Sequence, residues 1–203
     1  EALMNPTAHP HFTYDESLPL GEELKRYFDL NKFGPDGGYN DRWVEIKLGP
    51  ITFTIPNTKS RVRAVRIHDL HHIVTEYQTS LKGESEIAAW EIATGCRDLY
   101  TAWNLNLSAF GFGALVWSGA IWRAFLRGRR SRNFYGAEYG AELLGKTVGA
   151  ARAELGLGPD AAAARAGGAS AKDVVAFAGY VGAALPLLFV NSVAWLALTP
   201  FAL

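Results

Sequence analysis

The sequence predicts a mainly α-helical domain that contains one small β-hairpin and is followed by a C-terminal transmembrane helix. Two short runs between residues 43 and 55 alternate apolar and polar side chains, which is typical of a hairpin. The final run, residues 174–203, has no charged side chain and exceeds the roughly 20 residues that cross a bilayer. The segments between these runs carry helix-capping residues and apolar residues at helical spacing.

The N-terminal part of the chain predicts one helix and then the hairpin. Residues 22–30 place their apolar side chains on one side of a short amphipathic helix. In residues 43–48 and 51–55 apolar side chains alternate with polar ones, and Gly49-Pro50 joins the two strands. We expect residues 1–157 to form a single domain around these elements.

Composition excludes several classes of function. Lys and Arg together number 20, as do Asp and Glu, so the chain has no overall charge that would attract nucleic acid. The single cysteine, Cys96, excludes an internal disulfide and a cysteine-based zinc cluster. Any metal ligands must therefore be nitrogen or oxygen atoms.

The most informative pattern is a cluster of histidines and carboxylates in the middle of the chain. Three of the five histidines fall within five residues, and a glutamate follows after eleven more: His68, Asp69, His71, His72 and Glu84. Because residues four apart lie on one side of a helix, His68 and His72 can direct their imidazoles to one point, with Asp69 beside them. The cluster predicts a metal site, which makes this a helical metal-binding domain.

The helix that carries these histidines is expected to begin near Thr58 or Ser60, which can act as caps. Glu84 reaches the site only if this helix ends before it. Residues 78–83 contain good N-cap residues and a glycine, which predict a break in the chain. A second, antiparallel helix that begins near Ser80 would return Glu84 toward His72. The predicted ligands of the ion are His68, Asp69, His72 and Glu84.

A buried hydrogen-bond network with a structural role is the alternative to a metal site. His71 lies on the same helix and could replace a neighbouring ligand, support one or carry a proton. Glu91 lies seven residues beyond Glu84, two helical turns along the same side, where it could orient a ligand or move a proton. A surface charge is the alternative for Glu91. We take His71 and Glu91 as the candidate catalytic residues.

The order His68-Asp69-x-x-His72, eleven residues and Glu84 resembles the signature of the coenzyme Q (ubiquinone) biosynthesis protein 4 family. The pair Gly83-Glu84 and the pair Trp90-Glu91 also match the pattern of that family, and the resemblance covers about residues 60–157. The predicted hairpin departs from the family, in which more helix is expected at this place.

The resemblance implies that the four matching residues hold a divalent ion, in the first place zinc. It implies a polyprenyl lipid or quinone precursor as ligand, the removal of the ring carboxylate from a prenylated hydroxybenzoate, and other quinone-biosynthesis proteins as partners. Because zinc cannot change its oxidation state, an oxidative reaction would need iron or an electron-accepting partner. The rival interpretation is a non-catalytic accessory subunit of a membrane respiratory or photosynthetic complex that retains the metal site.

Two membrane topologies are open, because residues 99–122 also lack a formal charge. In the first, residues 99–122 and residues 174–203 both span the bilayer. In the second, which we favour, only residues 174–203 span, and residues 99–122 form a helix under the metal site or along the bilayer surface. The metal domain then lies on the cytoplasmic (or matrix) side. The Ala- and Gly-rich residues 158–173 are expected to link the domain to its anchor.

Three arginines are candidate ligands for a lipid headgroup or another anion. Arg129 and Arg130 belong to a basic cluster that follows residues 99–122, where contact with anionic headgroups is expected. Arg66 lies two residues before His68. A solvated helix surface is the alternative for Arg66, and in the first topology Arg129 and Arg130 belong to a cytoplasmic loop.

Overall fold

A computed structural model describes residues 13–48, 51–158 and 168–198. In these ranges the chain contains eight α-helices and one antiparallel hairpin, which confirms the mainly α-helical class. The helices are α1 (Leu20–Asn31), α2 (Lys59–Thr75), α3 (Leu81–Thr94), α4 (Tyr100–Val116), α5 (Ser118–Arg129), α6 (Ala141–Leu144), α7 (Val148–Glu154) and α8 (Ala171–Leu198). The strands, which lie between α1 and α2, are β1 (Trp43–Leu48) and β2 (Ile51–Pro56).

The predicted hairpin is confirmed, and β2 ends one residue later than expected. Its register pairs Val44 with Ile55 and Trp43 with Pro56. The Asn57 side-chain amide donates to the carbonyl oxygens of Gly38 and Asp41, at 2.9 Å each. These bonds hold the loop before β1 against the segment that leads into α2. The joining residues 49 and 50 lie outside the described ranges.

The two helices of the predicted metal site begin at the predicted capping residues. Thr58 caps α2 and Ser80 caps α3, each through a side-chain oxygen that accepts a backbone N–H of the first turn. α2 ends at Thr75, before the break expected at residues 78–83. At that point Glu76 adopts a left-handed conformation with φ of 62°, which is a common way to end a helix.

α3 lies at the centre of the domain and packs on α4 and α5. Its Trp90 is fully buried, and the indole N–H donates to the hydroxyl of Ser131 at 2.8 Å. A Cβ on Gly128 of α5 would lie 2.6 Å from the Trp90 carbonyl oxygen, so glycine at this position lets the two helices approach closely. The helix that carries Glu84 and Glu91 is thus enclosed by core packing on several sides.

Residues 99–122 do not form the single helix that both topologies assume. The chain forms α4 and then α5, and Trp117 between them has φ of −131° and ψ of 44°, outside the helical region. α4 uses one side, including Asn106 and Gly113, to cover α3. Among the described helices, α8 alone is long and apolar enough to cross a membrane. The expectation of one helix through residues 99–122 is therefore wrong.

α8 is the predicted C-terminal apolar helix, and it begins at Ala171 instead of residue 174. The stretch Ala171–Ala194 is long and apolar enough to span a bilayer. In an apolar segment of 18 residues within it, 11% is buried inside the protein. Pro186 is accommodated within the helix. Phe177 and Tyr180 pack on the aromatic side chains of α4 and α5. Residues 199–203 of the predicted anchor lie outside the described ranges.

Candidate metal centre

The candidate metal centre lies where the C-terminal half of α2 meets the first turn of α3. His68 and His72 project from successive turns of α2, and their Nε2 atoms are 3.1 Å apart. Glu84 of α3 places Oε2 3.3 Å from Nε2 of His68 and Oε1 3.4 Å from Nε2 of His72. The structure thus brings together three of the four predicted ligands, whose donor atoms lie within 4.8 Å of one another.

Hydrogen bonds to the outer ring nitrogens fix the tautomers of both histidines. Nδ1 of His68 lies 3.0 Å from the carboxylate of Glu91, and Nδ1 of His72 lies 2.8 Å from the carbonyl oxygen of Tyr77. Because a carboxylate and a carbonyl only accept, each Nδ1 carries the proton. In the neutral rings the two Nε2 lone pairs then face each other, which is repulsive unless a proton or a metal ion lies between them.

The three donor groups fit a divalent metal ion. Zn–N bonds of about 2.0–2.1 Å in a tetrahedral site place neighbouring ligand atoms about 3.3 Å apart, close to the separations of 3.1 to 3.4 Å found here. Two imidazoles and one carboxylate also suit ferrous iron. Three protein ligands leave a position for water or substrate, and the Glu84 side chain is 37% exposed, so the centre can be reached from outside.

Glu91 is fully buried on α3 and links the candidate ligands to the core. Its Oε1 accepts from Nδ1 of His68 and, at 2.6 Å, from Nδ1 of His71. Its Oε2 accepts from the Tyr135 hydroxyl at 2.7 Å and from the Asn106 amide. Burial alone would raise the pKa of Glu91, but the charge of His68 and the bonds from His68 and His71 hold it well below its ordinary value. The ionised carboxylate is placed to orient His68.

The charges around His68 favour its protonated form when no metal is bound. Burial lowers the pKa of His68, but Glu91 and Glu84 outweigh this effect and raise it well above 6.5. Burial would raise the pKa of Glu84, yet the nearby His72 and His68 hold it well below its ordinary value. A proton shared with Glu84 is therefore the alternative to a metal ion at this site, and a metal ion must displace it.

His71 does not join the ligand group. It is fully buried against the rings of Trp90 and Tyr135, with centroids 5.0 and 4.9 Å away. Its Nδ1 donates to Glu91, and its Nε2 accepts the backbone N–H of Phe134 at 2.9 Å. Burial lowers the pKa of His71, which keeps the ring neutral. Both nitrogens are already bonded, so the geometry supports a role in holding Glu91, not one as a replacement ligand or proton carrier.

Asp69 is turned away from the other three predicted ligands. Its carboxylate accepts from the Tyr39 hydroxyl at 2.6 Å and from the Tyr27 hydroxyl at 3.5 Å, and burial raises its pKa. Consecutive residues of a helix point about 100° apart, so Asp69 does not share the side on which His68 and His72 lie. The structure thus gathers three of the four expected ligands and places Asp69 in a network with two tyrosines.

The position of Glu84 depends on its neighbour Gly83. A Cβ on residue 83 would overlap the carbonyl group of Gln78, so only glycine lets the connecting segment lie against the first turn of α3. The Ser80 hydroxyl accepts the Gly83 N–H at 3.2 Å and sets the start of the helix. These local features return Glu84 to the two histidines.

The predicted headgroup ligands lie in two separate places. Arg66 lines a cavity between α2, the loop before β1 and the loop after α5. Arg129 forms an ion pair with Asp173 at 3.2 Å, and Arg130 donates to the carbonyl oxygen of Gly168 at 3.0 Å. The last two arginines therefore hold the beginning of α8 against the domain, and their binding of lipid stays a prediction.

Asn106 and Tyr135 complete the surroundings of Glu91 and were not among the sequence-based candidates. Asn106 is a polar residue in the apolar helix α4, and a buried amide requires a partner. This residue could therefore have been recognised from the sequence as a candidate. Tyr135 lies between α5 and α6, where no local pattern distinguishes it. The ring of Tyr27, which stacks on His72 at 5.6 Å, also comes from a distant helix.

Comparisons of the chain with protein-family models, with curated proteins and with solved structures gave no match. Its function must therefore be inferred from the chemistry of the site and the spacing of the motif.

Proposed function

We propose that this protein is a membrane-associated metalloprotein that binds a divalent ion and a polyprenyl lipid or quinone precursor. The proposed reaction is the decarboxylation of a prenylated hydroxybenzoate. The resemblance of residues 68–84 to the coenzyme Q biosynthesis protein 4 family supports this proposal, as does the group of His68, His72 and Glu84. Zinc is the proposed ion, and ferrous iron is the alternative.

One observation carries the proposal. The donor atoms of His68, His72 and Glu84 lie close together, while the Nδ1 protons of both histidines are bonded to other groups. The carboxylate of Glu91 bonds the outer nitrogen of His68, and the Tyr77 carbonyl bonds that of His72. Such bonds to the outer nitrogen are the usual support of metal-binding imidazoles, because they fix both the tautomer and the ring orientation. A purely structural pair of histidines does not require this arrangement on both rings.

The proposed reaction breaks the bond between the ring and its carboxyl carbon, leaves the bonding electrons on the ring and replaces carbon dioxide by a proton. An ion held by His68, His72 and Glu84 would supply a Lewis acid that stabilises the charge left on the ring. Glu91 holds the His68 ring in place, and the Tyr27 ring covers one side of His72. The partly exposed Glu84 marks the side from which substrate approaches.

The membrane part of the proposal is supported by α8 and by its contact with α4. The Asn191 amide of α8 donates to Ser108 at 2.8 Å and to Asn104 at 3.3 Å, both on α4. On the opposite side of α4, Asn106 bonds Glu91. We propose that α8 anchors the metal domain on the cytoplasmic (or matrix) side, close to lipid substrates and to other membrane proteins of quinone biosynthesis.

A non-catalytic accessory subunit of a membrane respiratory or photosynthetic complex is the second candidate. The observation that favours it is the large exposed apolar surface of α8, where Val175 and Phe189 are 72% and 70% exposed. Such a surface suits lipid, but it also suits other membrane helices. In this case the metal would have a structural role.

Metal analysis and a decarboxylation assay of the full chain in detergent test both candidates. We expect one equivalent of bound metal and release of carbon dioxide from a prenylated hydroxybenzoate, with both lost in His68→Ala and Glu84→Ala. Metal without turnover would favour the accessory subunit. Turnover that persists in both variants would contradict the proposed site.

A further inference from the structure

A cavity of about 920 Å³ lies between α2, the loop that precedes β1 and the loop after α5. Its wall includes three tyrosines, Tyr39, Tyr135 and Tyr139, together with several charged side chains. His68, His72 and Glu84 do not line it, so the cavity is separate from the candidate metal centre. Its volume is within the range of pockets that bind small organic molecules.

Arg66 projects into this cavity between two aromatic rings. Its guanidinium carbon lies 5.2 Å from the ring centre of Tyr39 and 5.4 Å from that of Tyr139. The Tyr39 ring is itself held by its hydrogen bond to Asp69. The guanidinium is thus kept in one place by cation–π contacts before any ligand arrives.

The guanidinium of Arg66 lacks an acceptor among the described residues. Its Nε is buried without a hydrogen-bond partner, and no carboxylate in the described ranges forms an ion pair with it. Arg61, Arg127 and Arg152 also have an unbonded Nε, but each of them bonds another group through a second nitrogen. Among these four arginines of the described ranges, Arg66 is the one left to pair with a ligand. An arginine fork matches a carboxylate or a phosphate through two parallel bonds.

The other charges of the cavity leave room for an anion. Arg63 is already paired with Asp98 at 3.2 Å. The wall as a whole has one more basic than acidic side chain, the basic ones being Lys59, Arg63, Arg66 and Arg97. Arg66 is therefore the strongest candidate anchor, because it combines a fixed position with unpaired donors.

We propose that this cavity binds a small molecule that carries an oxyanion, a carboxylate or a phosphate, and that Arg66 is its anchor. The tyrosine rings of the wall cover the body of the ligand, and the guanidinium pairs with its charged end. Anion binding in this cavity requires neither a metal ion nor the reaction proposed at the candidate metal centre.

Isothermal titration of the full chain in detergent with benzoate and with inorganic phosphate tests the proposal. We expect wild-type protein to bind at least one of the two probes, and the probe that binds distinguishes a carboxylate site from a phosphate site. Arg66→Gln should weaken that binding about tenfold or more, because hydrogen bonds to a charged group are lost. Arg66→Lys should also weaken it, because the planar fork is lost while the charge remains.

The matched control is Arg123→Gln, which changes an exposed arginine of α5 that does not line the cavity and should alter binding about twofold or less. Circular dichroism and zinc content should be the same in the variants as in wild type. If Arg66→Gln does not fold, the Arg66→Lys titration decides. The proposal is overturned if neither probe binds wild-type protein, if the foldable Arg66 variant binds as tightly, or if Arg123→Gln loses as much affinity.

Discussion

His68 donates its Nδ1 proton to Glu91 over 3.0 Å, and the same Glu91 oxygen accepts the Nδ1 proton of His71 over 2.6 Å. One carboxylate of α3 therefore orients a candidate ligand of α2 and is held in turn by a second imidazole of that helix. The other oxygen of Glu91 is bonded by Asn106 of α4. Side chains of α2, α3 and α4 thus meet at the carboxylate that holds His68, so core packing fixes the position of this candidate ligand.

Replacing this carboxylate should weaken metal binding without removing a ligand. In Glu91→Gln the negative charge that makes His68 more basic is lost, and we expect zinc affinity to fall about 10- to 100-fold. Competition with a chromophoric chelator measures this affinity. Glu86→Gln, the same change on the same helix, is the matched control and should bind zinc as wild type does. Equal affinity in both variants would show that Glu91 does not support the centre.

Asp69 should be dispensable for metal binding although it lies within the motif. Because its oxygens bond Tyr39 and Tyr27 and not the ligand group, Asp69→Asn should retain the bound metal. The free energy of unfolding should fall by about 1–3 kcal/mol, since a buried hydrogen bond is weakened. His72→Ala should lose the metal. Metal content and denaturant unfolding check both statements, and loss of metal in Asp69→Asn would restore Asp69 as a ligand.

Metal binding should strengthen as the pH rises. The raised pKa of His68 means that its proton must leave before Nε2 can bind a metal ion. We therefore expect the rise in melting temperature caused by zinc to grow from about pH 6 to about pH 8. Thermal unfolding with and without zinc at each pH measures it. A zinc effect that is the same across this range would argue against His68 as a ligand.

Without metal, the stability of the protein should fall as the pH rises above neutral. The stabilisation from charged His68 is complete below the unfolded value of 6.5 and is lost as the pH rises through the higher folded value. The stabilisation from Glu84 and Glu91 is present above 4.5 and is lost as the pH falls toward their lowered folded values. The lowered pKa of His71 adds a loss of stability as the pH falls below 6.5. The melting temperature of the metal-free chain should therefore be highest near pH 6.5. A maximum above pH 8 would contradict this coupling.

Features set by local chemistry could be predicted from the sequence. The capping residues Thr58 and Ser80 marked the beginnings of α2 and α3, and the alternation in residues 43–55 marked the hairpin. The helical spacing of His68 and His72 placed both imidazoles on one side of α2. These signals act within a few residues, so no knowledge of the tertiary fold was needed.

Features that depend on contacts between distant segments could not be predicted in this way. Asp69 was grouped with the ligands because it is adjacent in sequence, but Tyr39, thirty residues away, provides its partner. The uncharged run of residues 99–122 gave no sign of the bend at Trp117, since α5 turns there to pack on α3. Tyr135 reaches Glu91 from a loop far along the chain.

The side of the membrane on which the metal domain lies can be tested with one introduced thiol. The native Cys96 is fully buried and should give no background with a membrane-impermeant maleimide. Glu142→Cys places a thiol on the exposed surface of α6. With the domain on the cytoplasmic side, labelling should occur in inside-out vesicles and not in intact cells. Labelling of intact cells would reverse the proposed orientation.

A methyl group added at Gly83, which is not a ligand itself, should disturb the candidate metal centre. In Gly83→Ala the new Cβ meets the carbonyl of Gln78, so the first turn of α3 must shift and carry Glu84 with it. We expect a loss of about 1–3 kcal/mol in the free energy of unfolding and weaker zinc binding. Gly119→Ala is the matched control, because its Cβ meets only the end of the Arg123 side chain at 3.6 Å. Denaturant unfolding and chelator competition measure both effects. Unchanged zinc affinity in Gly83→Ala would show that the position of Glu84 does not depend on this turn.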